Sequence, residues 1–149
     1  MASKYNRRKL NKPPQNEPWT WLPKSMLKSE AHRELSINSH RLLNFLMHEH
    51  MSKGGKKNGS LIAPYKQLEE FGLTKRKISA AIKQCEQLGF IEVSRGGRIA
   101  NEDKCSRYKL TWLPNLEAGD PPGNEWRRVS TKIRNQSLAA PQGTLIEIK

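Results

Sequence analysis

Between Thr74 and Leu88 the chain sets out side chains suited to meeting a polyanion: Thr74, Lys75, Arg76 and Lys77, then Ser79, Ala80, Lys83 and Gln87. On a helical wheel Arg76, Ala80, Lys83 and Gln87 fall on one line, with Ser79 on its flank. No acid lies on that line. An ordinary solvated helix face mixes signs, whereas Arg, Lys and Gln beside a small residue can enter a major groove and hydrogen-bond base edges. Thr74, Lys75 and Lys77 stand where such a helix begins, so their donors, helped by its N-terminal dipole, suit phosphate oxygens. A plain solvated face in a basic protein is the competing explanation. The segment after the helix weakens it: Arg95-Gly96-Gly97-Arg98 reads as a turn, with Lys104 and Arg107 on the return. Arginines at a hairpin tip can enter a narrow minor groove or clamp phosphates. The alternative there is a surface hairpin whose charges keep its edge from pairing.

Other chemistry finds little support. There is no Walker loop, no serine elbow and no paired-acid signature, and Gly54-Gly55 and Gly96-Gly97 are too short to cradle a nucleotide. The expectation is a protein that is not an enzyme, with no catalytic residues, no cofactor and no small-molecule ligand. His32, His40, His48 and His50 do not make a metal site: His48 and His50 point to different helix faces, and no cysteine or carboxylate completes a four-ligand set. The two cysteines, Cys85 and Cys105, give no disulfide framework and fit reduced thiols in a cytosolic protein, Cys85 as core filler.

Charge narrows the partners. The 149 residues carry 27 Lys and Arg against 14 Asp and Glu, a formal net charge of +13. Self-repulsion on that scale is tolerated beside nucleic acid, an anionic membrane surface or an acidic protein. No run approaches the roughly 18 apolar residues of a membrane span. Met1 to Pro14 is basic without an apolar stretch after it, so it does not read as a secretory signal. A cytoplasmic protein is expected.

The elements that must position the stripe emerge from periodicity and punctuation. Residues 1–23 hold Lys4, Arg7, Arg8, Lys9 and Lys12 against one acid, Glu17, and four prolines; they read as a flexible basic arm, with Arg7, Arg8 and Lys9 as DNA-contact candidates. Trp19 and Trp21 are expected to pack back onto the core. The folded unit is expected over 24–114. Ser25 predicts a helix to Leu35 with Leu27, Ala31 and Leu35 on one face, and Ser36 or Asn38 caps a longer one to about Ser52. Gly54-Gly55 ends it, Lys56 to Gly59 is a turn, and Ser60–Ala63 is a short strand. Pro64 suits the start of a short helix through Phe71, which Gly72 stops. Thr74 caps the helix 75–88, whose buried face is Ile78, Ala81, Ile82, Cys85 and Leu88. Phe90–Val93 and Arg107–Trp112 are the arms of a hairpin with a long polar loop. Beyond Pro114 comes a 115–149 extension: a linker to Gly123, a short helix near 124–134, and a tail over 135–149 that reads as disordered apart from a weak strand signal at 145–148, so that the folded unit is flanked by basic, partly disordered tails.

In Leu61 to Leu68, in Gly72-Leu73-Thr74-Lys75-Arg76-Lys77-Ile78, in Ala81-Ile82 with Leu88 to Val93, and in Tyr108 to Trp112, the chain resembles the winged helix-turn-helix superfamily. It looks especially like small winged-helix proteins of bacterial chromosomes and mobile elements, including initiator-like ones. The resemblance covers roughly residues 36–113. It implies a mainly α fold with a small β-hairpin wing, the helix 75–88 reading the major groove, and the wing over 94–107 and the basic arm on backbone or minor groove. It further implies sequence-specific double-stranded DNA binding, in a transcriptional regulator or a replication or excision accessory factor. RNA binding and a protein-interaction module are the alternatives. A homodimer is a further expectation, built from Trp19, Trp21 and the stripe Trp126, Val129 and Ile133; a monomer would bury these on itself.

Overall fold

The computed structural model describes residues 7–95, 98–99, 102–103 and 106–139. After a single turn α1 (Arg7–Leu10), the body starts with two short helices, α2 (Lys24–Leu27) and α3 (Glu30–Arg33). The single helix expected over 25–35 is therefore broken, and Ser29 is the reason. Its Oγ donates to the Met26 carbonyl at 2.7 Å and accepts from the His32 N–H at 3.2 Å, so one hydroxyl closes the first helix and caps the second. The break turns Met26 into the core and leaves Leu27 half-exposed. Ser25 sits inside α2, whose cap position is Pro23.

Helix α4 (Ile37–Ser52) forms as the pattern predicts: the Ser36 Oγ accepts from the Ser39 N–H at 3.1 Å, and Leu42, Leu43, Phe45 and Leu46 enter the core. The strand expected over 60–63 reduces to one bridge, in which Leu61 exchanges both backbone hydrogen bonds with Tyr108. The turn before it holds a residue of the core, since Asn58 is 1% exposed. Helix α5 (Tyr65–Glu70) ends at Gly72, whose φ of +112° lies in the left-handed region favoured by glycine. Helix α6 (Ile78–Gln87) comes after a 3-10 turn over Lys75–Lys77.

Strands β1 (Ile91–Ser94), β2 (Arg98–Ile99), β3 (Glu102–Asp103) and β4 (Arg107–Leu110) make an antiparallel hairpin; β1 pairs with β4 and β2 with β3. The pairs Ser94↔Arg107 and Arg98↔Asp103 keep one register, and Ile99↔Glu102 leaves two residues between the paired strands. The turn expected at 95–98 does not extend to its last residue: Arg98 is a strand residue paired with Asp103, and Gly96-Gly97 lie outside the described residues. A glycine pair permits a turn without requiring one.

The C-terminal helix α7 (Glu125–Ala139) runs further than the expected 124–134, because no breaker stands between Arg134 and Ala139. The strand signal at 145–148 lies outside the described residues. Trp126 is 2% exposed and belongs to the same hydrophobic cluster as Met26, Leu42, Leu61, Phe90 and Trp112, with Val129 and Ile133 packed against it. The molecule is mainly helical, with α7 closing the core beside α3. No described helix is long and apolar enough to cross a membrane.

Candidate nucleic-acid interface

The packing of α6 decides which of its side chains are free to act. Ile78, Ala81, Ile82 and Cys85 are buried, as the wheel requires, and Leu88 is half-buried. Thr74, Lys75, Arg76, Lys77, Ser79, Ala80, Lys83 and Gln87 are all exposed, so none of the eight contact residues expected around α6 is taken up by the core. Thr74 differs from expectation in one respect. Its side chain makes no capping hydrogen bond; instead its N–H donates to the Asn38 Oδ1 at 3.0 Å. The first turn consequently tightens into the 3-10 form, leaving Lys75, Arg76 and Lys77 consecutive at the helix start.

Side chains from α4 hold that turn in place. The Arg41 guanidinium donates to the Gly72 carbonyl. Gln84 is the strongest tie: its Oε1 accepts from the Ser36 N–H at 2.8 Å and from the Ser39 hydroxyl, while its Nε2 donates to the Glu34 carbonyl at 2.8 Å. One amide thus satisfies groups from the end of α3 to the first turn of α4 and locks the α6 axis across them. Asn38 and Gln84 carry no sequence signal for this role, because their partners lie 36 to 50 residues away; periodicity marks faces, not partners.

Glu86 is the only acid between Thr74 and Leu88. Arg95, expected at the tip of the wing, instead forks onto it from the hairpin root, with hydrogen bonds of 2.9 and 3.1 Å. The hydrogen bonds that Arg95 donates to Glu86, and then the negative charge of that carboxylate, raise the Arg95 pKa. The pair removes the uncompensated acid from the α6 surroundings and braces the hairpin against the helix. Arg107 is exposed on β4 opposite Ser94. Arg98 is placed by its backbone alone, and Lys104 lies outside the described residues. Tyr65, Ser79, Lys83, Arg95 and Ser106 line a cleft of about 320 Å³ between α6, the start of α5 and the hairpin root. Tyr65 and Ser106 carried no signal in the sequence, since only the fold brings them beside Lys83.

Residues 12–19 of the arm lie away from this surface. Residues 12–19 lie against Met51, Gly54 and Gly55, at the C-terminal end of α4. The ties to α6 and its turn are at the N-terminal end, from Ser36 to Arg41. A helix of 16 residues is about 24 Å long. Arg8 is exposed in α1, four residues before Lys12, and the side chains of Arg7 and Lys9 lie outside the described residues. The stripe expected to serve a dimer is likewise used internally: Trp126, Val129 and Ile133 pack on their own chain's core.

Cys85 lies fully buried beneath the face, and burial pushes its pKa up to about 12. Thiolate is the reactive form, so iodoacetamide at pH 8 is expected to leave Cys85 unmodified in the folded protein and alkylate it in denaturant. Peptide mass spectrometry reads this directly; rapid native labelling at Cys85 would contradict the packing of α6.

Comparison with family models, with curated proteins and with solved structures returns no match to this chain.

Proposed function

We propose that this chain is a sequence-specific double-stranded DNA-binding protein whose central unit is a winged helix-turn-helix, with α6 as the recognition helix and the β1–β4 hairpin as the wing. The observation that carries this reading is the asymmetry of α6: one edge is wholly buried, and the opposite face presents Arg76, Ser79, Ala80, Lys83 and Gln87 with no acid among them. The element order supports it too, since α4, the Leu61 bridge, α5, the Gly72 turn, α6 and the hairpin succeed one another as that arrangement requires. In this reading Thr74, Lys75 and Lys77 meet phosphates at the helix start, while Arg76, Lys83 and Gln87 reach base edges. Arg95 secures the wing, and Arg107, exposed on β4, is placed to contact the backbone. A role in transcriptional control or as a mobile-element accessory factor fits the sequence resemblance.

The test begins with selection of a preferred duplex from random sequence. On that duplex, Arg76→Ala and Lys83→Ala are each expected to lose roughly 1–3 kcal/mol of binding, with relaxed preference at one base pair where the side chain reads a guanine. Both residues are exposed, so melting temperatures should stay close to the parent's. Affinity unchanged in both folded variants would reject α6 as the reading element.

A further inference from the structure

We propose that Trp19 and Trp21, with Lys12 and the lysines just beyond α4, form a stacking platform for the unpaired bases of a single DNA strand. It lies at the opposite end of α4 from the α6 face. Of the four tryptophans, Trp112 and Trp126 are 1% and 2% exposed, whereas Trp19 and Trp21 are each 50% exposed. The rings of the exposed pair stand 6.3 Å apart at 53°. The expectation that they pack back onto the core holds in part: the Trp112 Nε1 donates to the Trp21 carbonyl at 3.1 Å, and both indoles stay half-exposed. Pro13, Pro14 and Pro18 restrict the chain leading to them, so the rings are presented with part of their ordering already met.

Beside them is a cleft of about 570 Å³, lined by Lys12, the prolines, Trp19 and the Met51–Gly55 end of α4. Its one acid is Glu17, against Lys12. Lys53 and Lys56 flank Gly54-Gly55 in the sequence and are both exposed; Lys53 lies 3.8 Å from Glu49, and Lys57 is committed to Glu117 at 2.6 Å. Exposed indoles with a surplus of cations match the chemistry of single strands: each unpaired base offers a π-face, and the backbone offers phosphates. A duplex keeps its base faces stacked and offers such rings nothing. The choice of DNA over RNA rests on the duplex reading above; the platform does not.

The full chain carries its own reporter. Titration with oligothymidylate of about 12 nucleotides, within the span of typical single-strand sites, is expected to quench the exposed indoles. The double variant Trp19→Ala/Trp21→Ala should lose the quench and bind the oligomer more weakly, by about 5- to 150-fold per stacked base. Trp19→Phe/Trp21→Phe should recover most of that affinity, because a phenyl ring also stacks. Neither variant should change affinity for the selected duplex, and Arg76→Ala/Lys83→Ala should leave oligothymidylate binding intact. Retention of that intact binding when duplex binding is absent would uphold the platform and reject only the duplex reading. Undiminished oligomer affinity in the alanine variant would overturn the platform. Tighter binding of oligouridylate would overturn the choice of DNA as the strand, and a tryptophan-dependent dimer seen by light scattering without any quench by the oligomer would overturn the platform.

Discussion

Gly89→Ala is expected to cost roughly 2–5 kcal/mol of folding stability, far more than one methyl group normally does. Two penalties combine. Gly89 has a φ of +84°, where an L side chain costs roughly 1–2 kcal/mol. A Cβ there would also stand 2.7 Å from the Glu125 carbonyl carbon and the Trp126 nitrogen, and 2.9 Å from the Glu125 oxygen. Those are backbone atoms of the first turn of α7, so no rotamer change relieves the contact, and overpacking of this kind adds roughly 1–3 kcal/mol. The neighbouring bonds tighten the site: the Thr111 hydroxyl donates to the Gly89 carbonyl at 2.6 Å, and the Asn124 N–H donates to the Thr111 carbonyl at 2.9 Å. For a chain of this size the melting temperature should fall by roughly 5–20 °C. Gly54→Ala is the control, because Gly54 has a φ of +73° and nothing within 4 Å of an added Cβ. If the two variants melt together, the seat of α7 on the end of α6 contributes nothing. A larger loss at Gly89 measures that seat.

Gly89 also illustrates what is legible in the sequence. Its role as the stop of α6 is evident from the end of the apolar pattern. Its second role, admitting the backbone of α7, is not, because a stop signal carries no information about an element 36 positions later. The same division runs through the chain. Helices α4 and α6, the Gly72 turn, and the buried and free faces of α6 are all readable, since each rests on local spacing and on residues that punctuate it. The break at Ser29 is not, because Leu27, Ala31 and Leu35 keep helical spacing straight across it and a single hydroxyl decides against them. The side chains expected to act along α6 are all exposed, as its spacing implies. What spacing cannot give is the partner across the fold: Arg95, expected at the hairpin tip, is held by Glu86, and residues 12–19 line a cleft with Met51.

Asn58 supplies the second large effect, and the sharpest separation of folding from function. Its Oδ1 accepts from the Leu110 N–H at 2.7 Å, and its Nδ2 donates to the carbonyls of Leu110 and Leu113 at 2.9 and 3.0 Å, with that of Pro114 at 3.3 Å. One buried amide thus terminates β4 and fixes the turn that carries Trp112 into the core. Asn58→Asp keeps the shape and the acceptor but sets a carboxylate oxygen against those carbonyls. An uncompensated buried charge of this sort costs roughly 3–5 kcal/mol. The carboxyl responds by holding its proton, so its folded pKa rises above the unfolded value of about 3.9. With the folded pKa raised, the unfolded chain releases the proton first, and the penalty grows as pH rises from 4 toward 7. Asn58→Ala loses the same bonds without the charge, so its loss should lack that slope. Denaturant melts of both variants at pH 4.5 and 7 provide the check; Asn58→Asp equal to the parent at pH 7, or parallel to Asn58→Ala across pH, would show that the amide is not the support assigned to it. Duplex affinity adds the functional half. Because Asn58 acts through β4, binding in these variants should fall only as the folded fraction falls. Arg76→Ala and Lys83→Ala should show the reverse pattern, weakened binding by a protein as stable as the parent, which is what a reading surface carried by a separately secured scaffold requires.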